Sequence, residues 1–132
     1  MYRSKEIRMG AGIMVTCDKK VLILKRAHYK GDPYSGYWNF PGGTSEVGES
    51  AYDTAVRETS EEIGISVPFI KVVDHVESKG YTMFIGKVSL EFTPEIDEEH
   101  TDFKWVDLSS IPSIEKLHPK DRGGFEKYIS RR

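Results

Sequence analysis

The stretch Gly43-Thr-Ser-Glu-Val-Gly-Glu49, Ser50-Ala-Tyr-Asp-Thr-Ala-Val56, Arg57-Glu58-Thr-Ser-Glu61-Glu62-Ile-Gly64-Ile65 decides how this chain is read. Between Ser50 and Ile63 there is no Gly or Pro; Ser50 suits a helix N-cap, and Gly64 is the residue expected just past a helix C-terminus. The pattern predicts a helix over 50–63. At 3.6 residues per turn Glu58, Glu61 and Glu62 stand at i, i+3 and i+4, so their carboxylates fan over about a 100° arc of one face. Like charges at that spacing repel, and the negative end of the helix dipole adds to the cost. Such a face is either solvated or arranged around a cation. The opposite arc, Ala51, Tyr52, Ala55, Val56, Thr59 and Ile63, is expected to pack on a sheet.

Outward from this helix, Met9–Cys17 and Val21–Lys25 are β-rich and split by the turn-like Asp18-Lys19-Lys20, which reads as a hairpin. Residues 27–37 form a long loop of Gly, Asp, Pro, Ser and Tyr. Downstream, Val67–Glu77, Tyr81–Phe92 and Phe103–Val106 read as strands, followed by a short turn near Leu108–Ile111 and a last helix over Pro119–Ile129. Strands mixed with two helices at irregular spacing predict an α/β (α+β) fold, an α/β/α sandwich with a mixed sheet, as a single domain over 1–132.

Nineteen Lys and Arg against 21 Asp and Glu give a net charge of −2, which argues against a protein held to nucleic acid by bulk positive charge. The lone Cys17 has no partner for an internal disulfide, and no Cys/His set has zinc spacing. No run approaches the ~20 apolar residues of a membrane span, and Arg3, Lys5 and Arg8 are not followed by a signal-peptide core. The expected setting is cytoplasmic, without membrane contact. The carboxylates are unevenly placed. Glu46 to Glu62 has Arg57 as its one cation, and Glu91 to Asp102 carries six acids with no Lys or Arg. Two acidic blocks this far apart in sequence can meet around a metal ion.

The spacing from Gly43 is five residues to Glu49, seven to Arg57-Glu58, two to Glu61-Glu62, and one to Gly64 followed by aliphatic Ile65. This resembles the Nudix box, the signature of the Nudix (MutT-like) hydrolase family. Seven fixed residues match; the departure is Thr59, usually aliphatic, whose hydroxyl is able to bond the carbonyl one turn back. Trp38-Asn-Phe-Pro41-Gly42-Gly43 also looks like the family's lead into the box.

The resemblance implies a pyrophosphohydrolase of nucleoside diphosphates linked to another group, with Mg²⁺ or Mn²⁺ as cofactor. The all-oxygen acid set suits those ions. Glu58 and Glu62 are then mainly metal ligands, joined by the Gly42 carbonyl, and Glu61 and Glu99 are both ligands and rival candidates for the base that takes the proton of the attacking water. Glu99, with Glu98 second, is preferred among the loop acids, because Glu-His before an aromatic strand is similar to hydrolases of dinucleoside polyphosphates. His100 is a candidate for a phosphate contact or proton donor. Arg57, a planar five-donor fork, is expected to hold Glu49 and orient a ligand carboxylate. Arg26, with Lys25, is a candidate phosphate contact. Tyr81 sits near where such hydrolases have a base-stacking tyrosine, and Tyr34, Tyr37, Trp38, Phe84 and Trp105 are candidates for a stacking slot. Expected partners are a small nucleotide, a dinucleoside polyphosphate or nucleoside triphosphate, or an RNA 5′ end, bound by a monomer or homodimer. The alternatives are a non-catalytic nucleotide-binding module of the same fold, and a GDP-sugar hydrolase acting at carbon.

Overall fold

The computed structural model describes residues 9–64 and 69–131. Its elements in chain order are β1 (Gly10–Cys17), β2 (Lys20–Arg26), β3 (Trp38–Asn39), β4 (Gly42–Thr44), α1 (Ala51–Ile63), β5 (Lys71–Ser78), β6 (Tyr81–Lys87), β7 (His100–Asp107), a 3₁₀ turn (Leu108–Ser113) and α2 (Pro119–Ser130). The strands form one mixed seven-stranded sheet of order β3-β2-β1-β6-β5, with β4 also on β1 and β7 also on β2. Pairing is antiparallel except for β1 with β6, which run parallel from Gly10↔Tyr81 to Thr16↔Lys87.

Strand alternation sorts the core into two layers. Ala11, Ile13 and Val15 of β1 and Leu22 and Leu24 of β2 face α1, where Ala55 and Ile63 meet them. Met14, Val21, Ile23, Met83 and Ile85 face the other way, toward Phe125 of α2. The result is the α/β/α sandwich that the sequence predicts. Ser50 caps α1 by accepting a bond from the Asp53 N–H at 3.0 Å, and Gly64 ends it in the left-handed conformation at φ 66.

Several details differ from expectation. The hairpin of β1 and β2 closes through Thr16↔Val21 and Cys17↔Lys20, after which the strands part; β4 takes the freed edge of β1 at Gly10–Gly12. β3 and β4, two and three residues long, are too short for periodicity to reveal. β6 ends at Lys87 rather than Phe92, and β7 extends from His100 to Asp107 because β2 pairs with it along its whole length. Positions 67 and 68, the start of an expected strand, lie outside the described residues, as does position 65. Tyr52 meets the sheet through an edge-on contact with the Phe84 ring but stays 47% exposed. Thr59 is buried with its hydroxyl unpartnered among the described residues, so the expected bond to the preceding turn is not made.

Candidate functional site

α1 carries the acidic face, and burial sorts its three carboxylates. Glu61 points outward with its side chain 56% exposed, Glu58 is largely covered at 17%, and Glu62 is buried at 3%. Glu62 Oε1 accepts the Gly42 N–H at 3.2 Å, and the Glu58 carboxyl is its acidic neighbour. Burial first, and then this neighbouring acid, push Glu62 up to about 10. Burial and the adjacent Glu58 thus both work against a negative charge on Glu62.

Arg57 spends its fork on the surrounding acids. Its Nε donates to Glu49 Oε2 at 2.8 Å and Nη2 to Glu49 Oε1 at 3.0 Å and Thr44 O at 3.1 Å. Nη1 reaches Glu58 Oε2 at 2.6 Å and Glu61 Oε1 at 3.4 Å. The Arg57–Glu49 clamp is the contact anticipated from the sequence, and it ties the loop ahead of α1 to the acidic face. Among the described residues no Lys or Arg lies within ion-pair distance of Glu62.

The glycine pair of β4 is the thin wall between this acidic face and a pocket. A Cβ at Gly43 would collide with the Glu58 carboxyl, and one at Gly42 with the Tyr81 hydroxyl, so only glycine lets both approach. The pocket beyond, about 160 Å³, is lined by Arg26, Asn39, Tyr81, His118, Lys120 and Asp121 together with the glycines. Asp121 is buried, accepts the Phe40 N–H at 3.0 Å, and burial pushes it up to about 7. His118 is pushed down to about 4, by burial and then by Arg26 and Lys120. Asn39, His118, Lys120 and Asp121 were not singled out by the sequence reading. Asn39 sits inside the Trp38–Gly43 lead, but the other three come from α2 and its cap, more than 50 residues after the box.

The remaining candidates fall on both sides of the pocket. Arg26 donates to Asp32 Oδ2 at 2.5 Å while its Nε is buried without a hydrogen-bond partner among the described residues. It also lines a second cleft with Tyr29, Glu98 and Glu99. The Glu99 carboxyl is raised by partial burial and then by Asp97 and Glu58, which puts it within electrostatic reach of the acidic face, and its carbonyl accepts the Ala27 N–H at 2.8 Å. Glu98 is exposed, its carbonyl accepting from the Tyr29 hydroxyl. Tyr81 reaches the pocket with its hydroxyl, and the Lys120 ammonium lies 5.4 Å from its ring centre, so stacking on that face requires Lys120 to move. The five aromatics proposed as one slot do not gather. Phe84 and Trp105 pack on the α1 side, Trp38 packs on the α2 side under Lys104, and Tyr34 contacts Tyr37 and His118.

The donor set fits a hard divalent cation. The buried Glu62 carboxyl lies beside the largely covered Glu58 carboxyl, and among the described residues no Lys or Arg pairs with Glu62, so a cation there would offset the cost of its burial. Among the described residues no three His, Cys, Asp or Glu side chains already close on a common point. A common metal centre on these acids would therefore require their side chains to move.

Comparison with known proteins bears on the same residues. The NUDIX domain model matches residues 6–128. The chain is 34% identical over 128 residues to a prenyl-diphosphate phosphatase of Methanosarcina mazei, covering 89% of this chain and 74% of that protein. It is 31% identical over 106 residues to Nudix hydrolase 6 of Arabidopsis thaliana, covering 79% of this chain and 36% of the relative, and 27% identical to human nucleoside diphosphate-linked moiety X motif 6, covering 89% and 39%. It thus spans little more than a third of the length of the last two. The fold is shared with a C. elegans Ap4A hydrolase at TM-score 0.72 and 20% identity, over 94% of this chain and 96% of that one. It is shared also with an E. coli dihydroneopterin triphosphate pyrophosphohydrolase at TM-score 0.73 and 22% identity, over 97% and 100%. Among the described residues no helix is long and apolar enough to cross a membrane. With the acidic helix face, the glycine wall and the sheet all inside the matched span, this chain belongs to the NUDIX domain family.

Proposed function

We propose that this chain is a divalent-metal-dependent pyrophosphohydrolase of a nucleoside diphosphate linked to another group, with water attacking phosphorus. The observation that carries this is the buried Glu62 with the largely covered Glu58 beside it, directly behind the glycine wall of a polar pocket. Glu58, Glu62 and the Gly42 carbonyl hold the Mg²⁺ or Mn²⁺, with Glu61 and Glu99 completing the set. When bound, the ion neutralises diphosphate charge and acidifies the attacking water. Arg57 fixes Glu58 through its bond at 2.6 Å and anchors itself on Glu49. The water oxygen bonds to phosphorus, the bridging P–O bond breaks, and the leaving phosphate keeps that electron pair. Glu99 is the preferred acceptor of the water's proton. It shares a cleft with Arg26, whereas Glu61 is engaged by Arg57. Arg26 contacts a phosphate after yielding Asp32.

The polar lining of the pocket, with Asn39, His118, Lys120 and Asp121, favours a nucleotide over the prenyl chain named for the Methanosarcina relative. Dinucleoside polyphosphates, nucleoside triphosphates and triphosphorylated RNA ends form the panel to assay, with a prenyl diphosphate as the contrasting substrate. On the substrate found, Glu62→Gln and Glu58→Gln are each expected to lower turnover by at least ~100-fold with unchanged circular dichroism. Hydrolysis in ¹⁸O water is expected to place the label in phosphate. Near wild-type turnover of both variants in saturating Mg²⁺ removes the metal site, and label in the sugar moves the reaction to carbon.

A further inference from the structure

His100 stands beside the acidic face with half of its ring unused. Its side chain is 2% exposed, and Nδ1 lies 2.7 Å from Asp97 Oδ1. A carboxylate accepts, so Nδ1 carries the proton, and in the neutral ring Nε2 keeps its lone pair. Nε2 has no hydrogen-bond partner among the described residues, and it faces Glu62 Oε1 across 3.9 Å. Two lone-pair atoms at that separation are too far apart to share one proton, since N–H···O bonds close to ~3.2 Å or less. The gap falls in the range a shared cation would span: ligand atoms each ~2.1 Å from one octahedral ion stand roughly 3.0 Å apart when cis and roughly 4.2 Å when trans, so a modest side-chain shift would bring both atoms onto one ion.

The backbone is arranged to put the ring there. Along β7, Phe103 and Trp105 face α1, and strict alternation would turn His100 to the other layer. Between β2 and β7 the register shifts, so that Lys25 opposes Asp102 but Arg26 opposes His100. The extra residue, Thr101, reverses the parity and aims His100 at Glu62 of α1. The Asp97–His100 turn, closed by the His100 N–H on Asp97 O at 3.1 Å, then fixes the ring. A carboxylate on one ring nitrogen is the usual outer partner of a histidine whose other nitrogen binds metal.

Resting on the reading of Glu58 and Glu62 as ligands, we propose that His100 Nε2 is a nitrogen ligand beside Glu62. An imidazole in an otherwise oxygen set shifts selectivity from Mg²⁺ toward first-row transition cations such as Mn²⁺.

The test uses Mn²⁺ alone on the full chain. Electron-spin-echo spectra of the bound ion are expected to show ¹⁴N modulation from a coordinated imidazole, altered by ¹⁵N-histidine labelling and lost in His100→Gln. By titration calorimetry, His100→Gln is expected to weaken Mn²⁺ at least ~10-fold while Mg²⁺ changes by less than twofold, and Asp97→Asn, which keeps the ring, weakens Mn²⁺ in the same sense. The wild-type spectrum needs no variant to fold. Bound Mn²⁺ without nitrogen coupling, equal loss of both metals in His100→Gln, or no Mn²⁺ binding at millimolar concentration overturns the assignment. If Glu62→Gln abolishes Mg²⁺-supported turnover while the Mn²⁺ spectrum lacks nitrogen, hydrolysis stands and His100 leaves the metal. If Glu62→Gln is fully active, both readings fall.

Discussion

Thr59 replaces the aliphatic residue usual at its place in the box, and the fold treats it as core. It is fully buried, and its hydroxyl has no hydrogen-bond partner among the described residues, although the carbonyl of the preceding turn was the anticipated acceptor. A buried hydroxyl left without a partner costs about 1–3 kcal/mol, whereas an apolar group of the same shape carries no such penalty. Thr59→Val is therefore expected to raise stability by about 1 kcal/mol in urea unfolding, with the denaturant slope and the turnover unchanged. Thr54, five residues earlier on the same helix, shows the contrast. Its hydroxyl is bonded to Ser50 O at 3.0 Å and to Glu49 Oε1 at 2.8 Å, so Thr54→Val is expected to destabilise.

At the scale of the element, the N-terminus of α2 holds two titrating groups that pull stability in opposite directions. Asp121 is raised from 3.8 to about 7 by burial. Between those values the folded chain holds a proton that the unfolded chain has released, so this group's contribution is present at the acid end and is lost as pH rises toward 7. His118, which caps α2 by accepting the Lys120 N–H at 3.2 Å, is lowered from 6.5 to about 4. Between those values the unfolded chain takes up a proton that the folded chain refuses, so stability is lost as pH falls from 6.5 to 4. Measured against wild type, Asp121→Asn is expected to gain stability steadily from about pH 4 to 7. His118→Asn, which can still cap, is expected to gain on wild type as pH falls from 6.5 to 4. Chemical unfolding at half-unit pH steps checks both, and two parallel difference curves would show the assignment of signs to be wrong.

At the scale of the molecule, the metal site proposed on the acidic face would couple metal loading to global stability. Glu62 belongs to α1, Gly42 to β4 and His100 to β7, so a cation gripped by the first two joins a helix to the sheet edge, and it has no equivalent site once they separate. Millimolar Mg²⁺ is therefore expected to raise the Tm of the wild type by mass action on the folded state. Glu62→Gln is expected to abolish that shift while leaving the Tm without added Mg²⁺ equal to or above wild type, because burial and the neighbouring Glu58 disfavour a charge at this position and the amide carries none. Differential scanning calorimetry with and without Mg²⁺ reads both effects. A wild-type Tm that does not move would mean that the ion enters only with its substrate.

Much of this was legible in the sequence because it is local. The limits of α1 follow from Ser50 and Gly64, the shared face of Glu58, Glu61 and Glu62 from helical pitch, and the two core layers from the alternation Ile13, Met14, Val15 and Leu22, Ile23, Leu24. The Arg57–Glu49 clamp also followed, since eight residues of loop and helix keep the fork and the acid close. What the sequence left open depends on residues that meet only through the sheet. Identical carboxylates on one face differ in burial, from 56% exposed at Glu61 to 3% at Glu62, because β4 covers one side of α1 and not the other. β3 and β4 are too short to carry a period, and the pocket they border draws His118, Lys120 and Asp121 from α2. The aim of His100 rests on a single extra residue in β7. Side-chain parity along a strand is local, but which residue opposes which is decided by the neighbouring strand, and one shift in that pairing turns a side chain from one layer to the other.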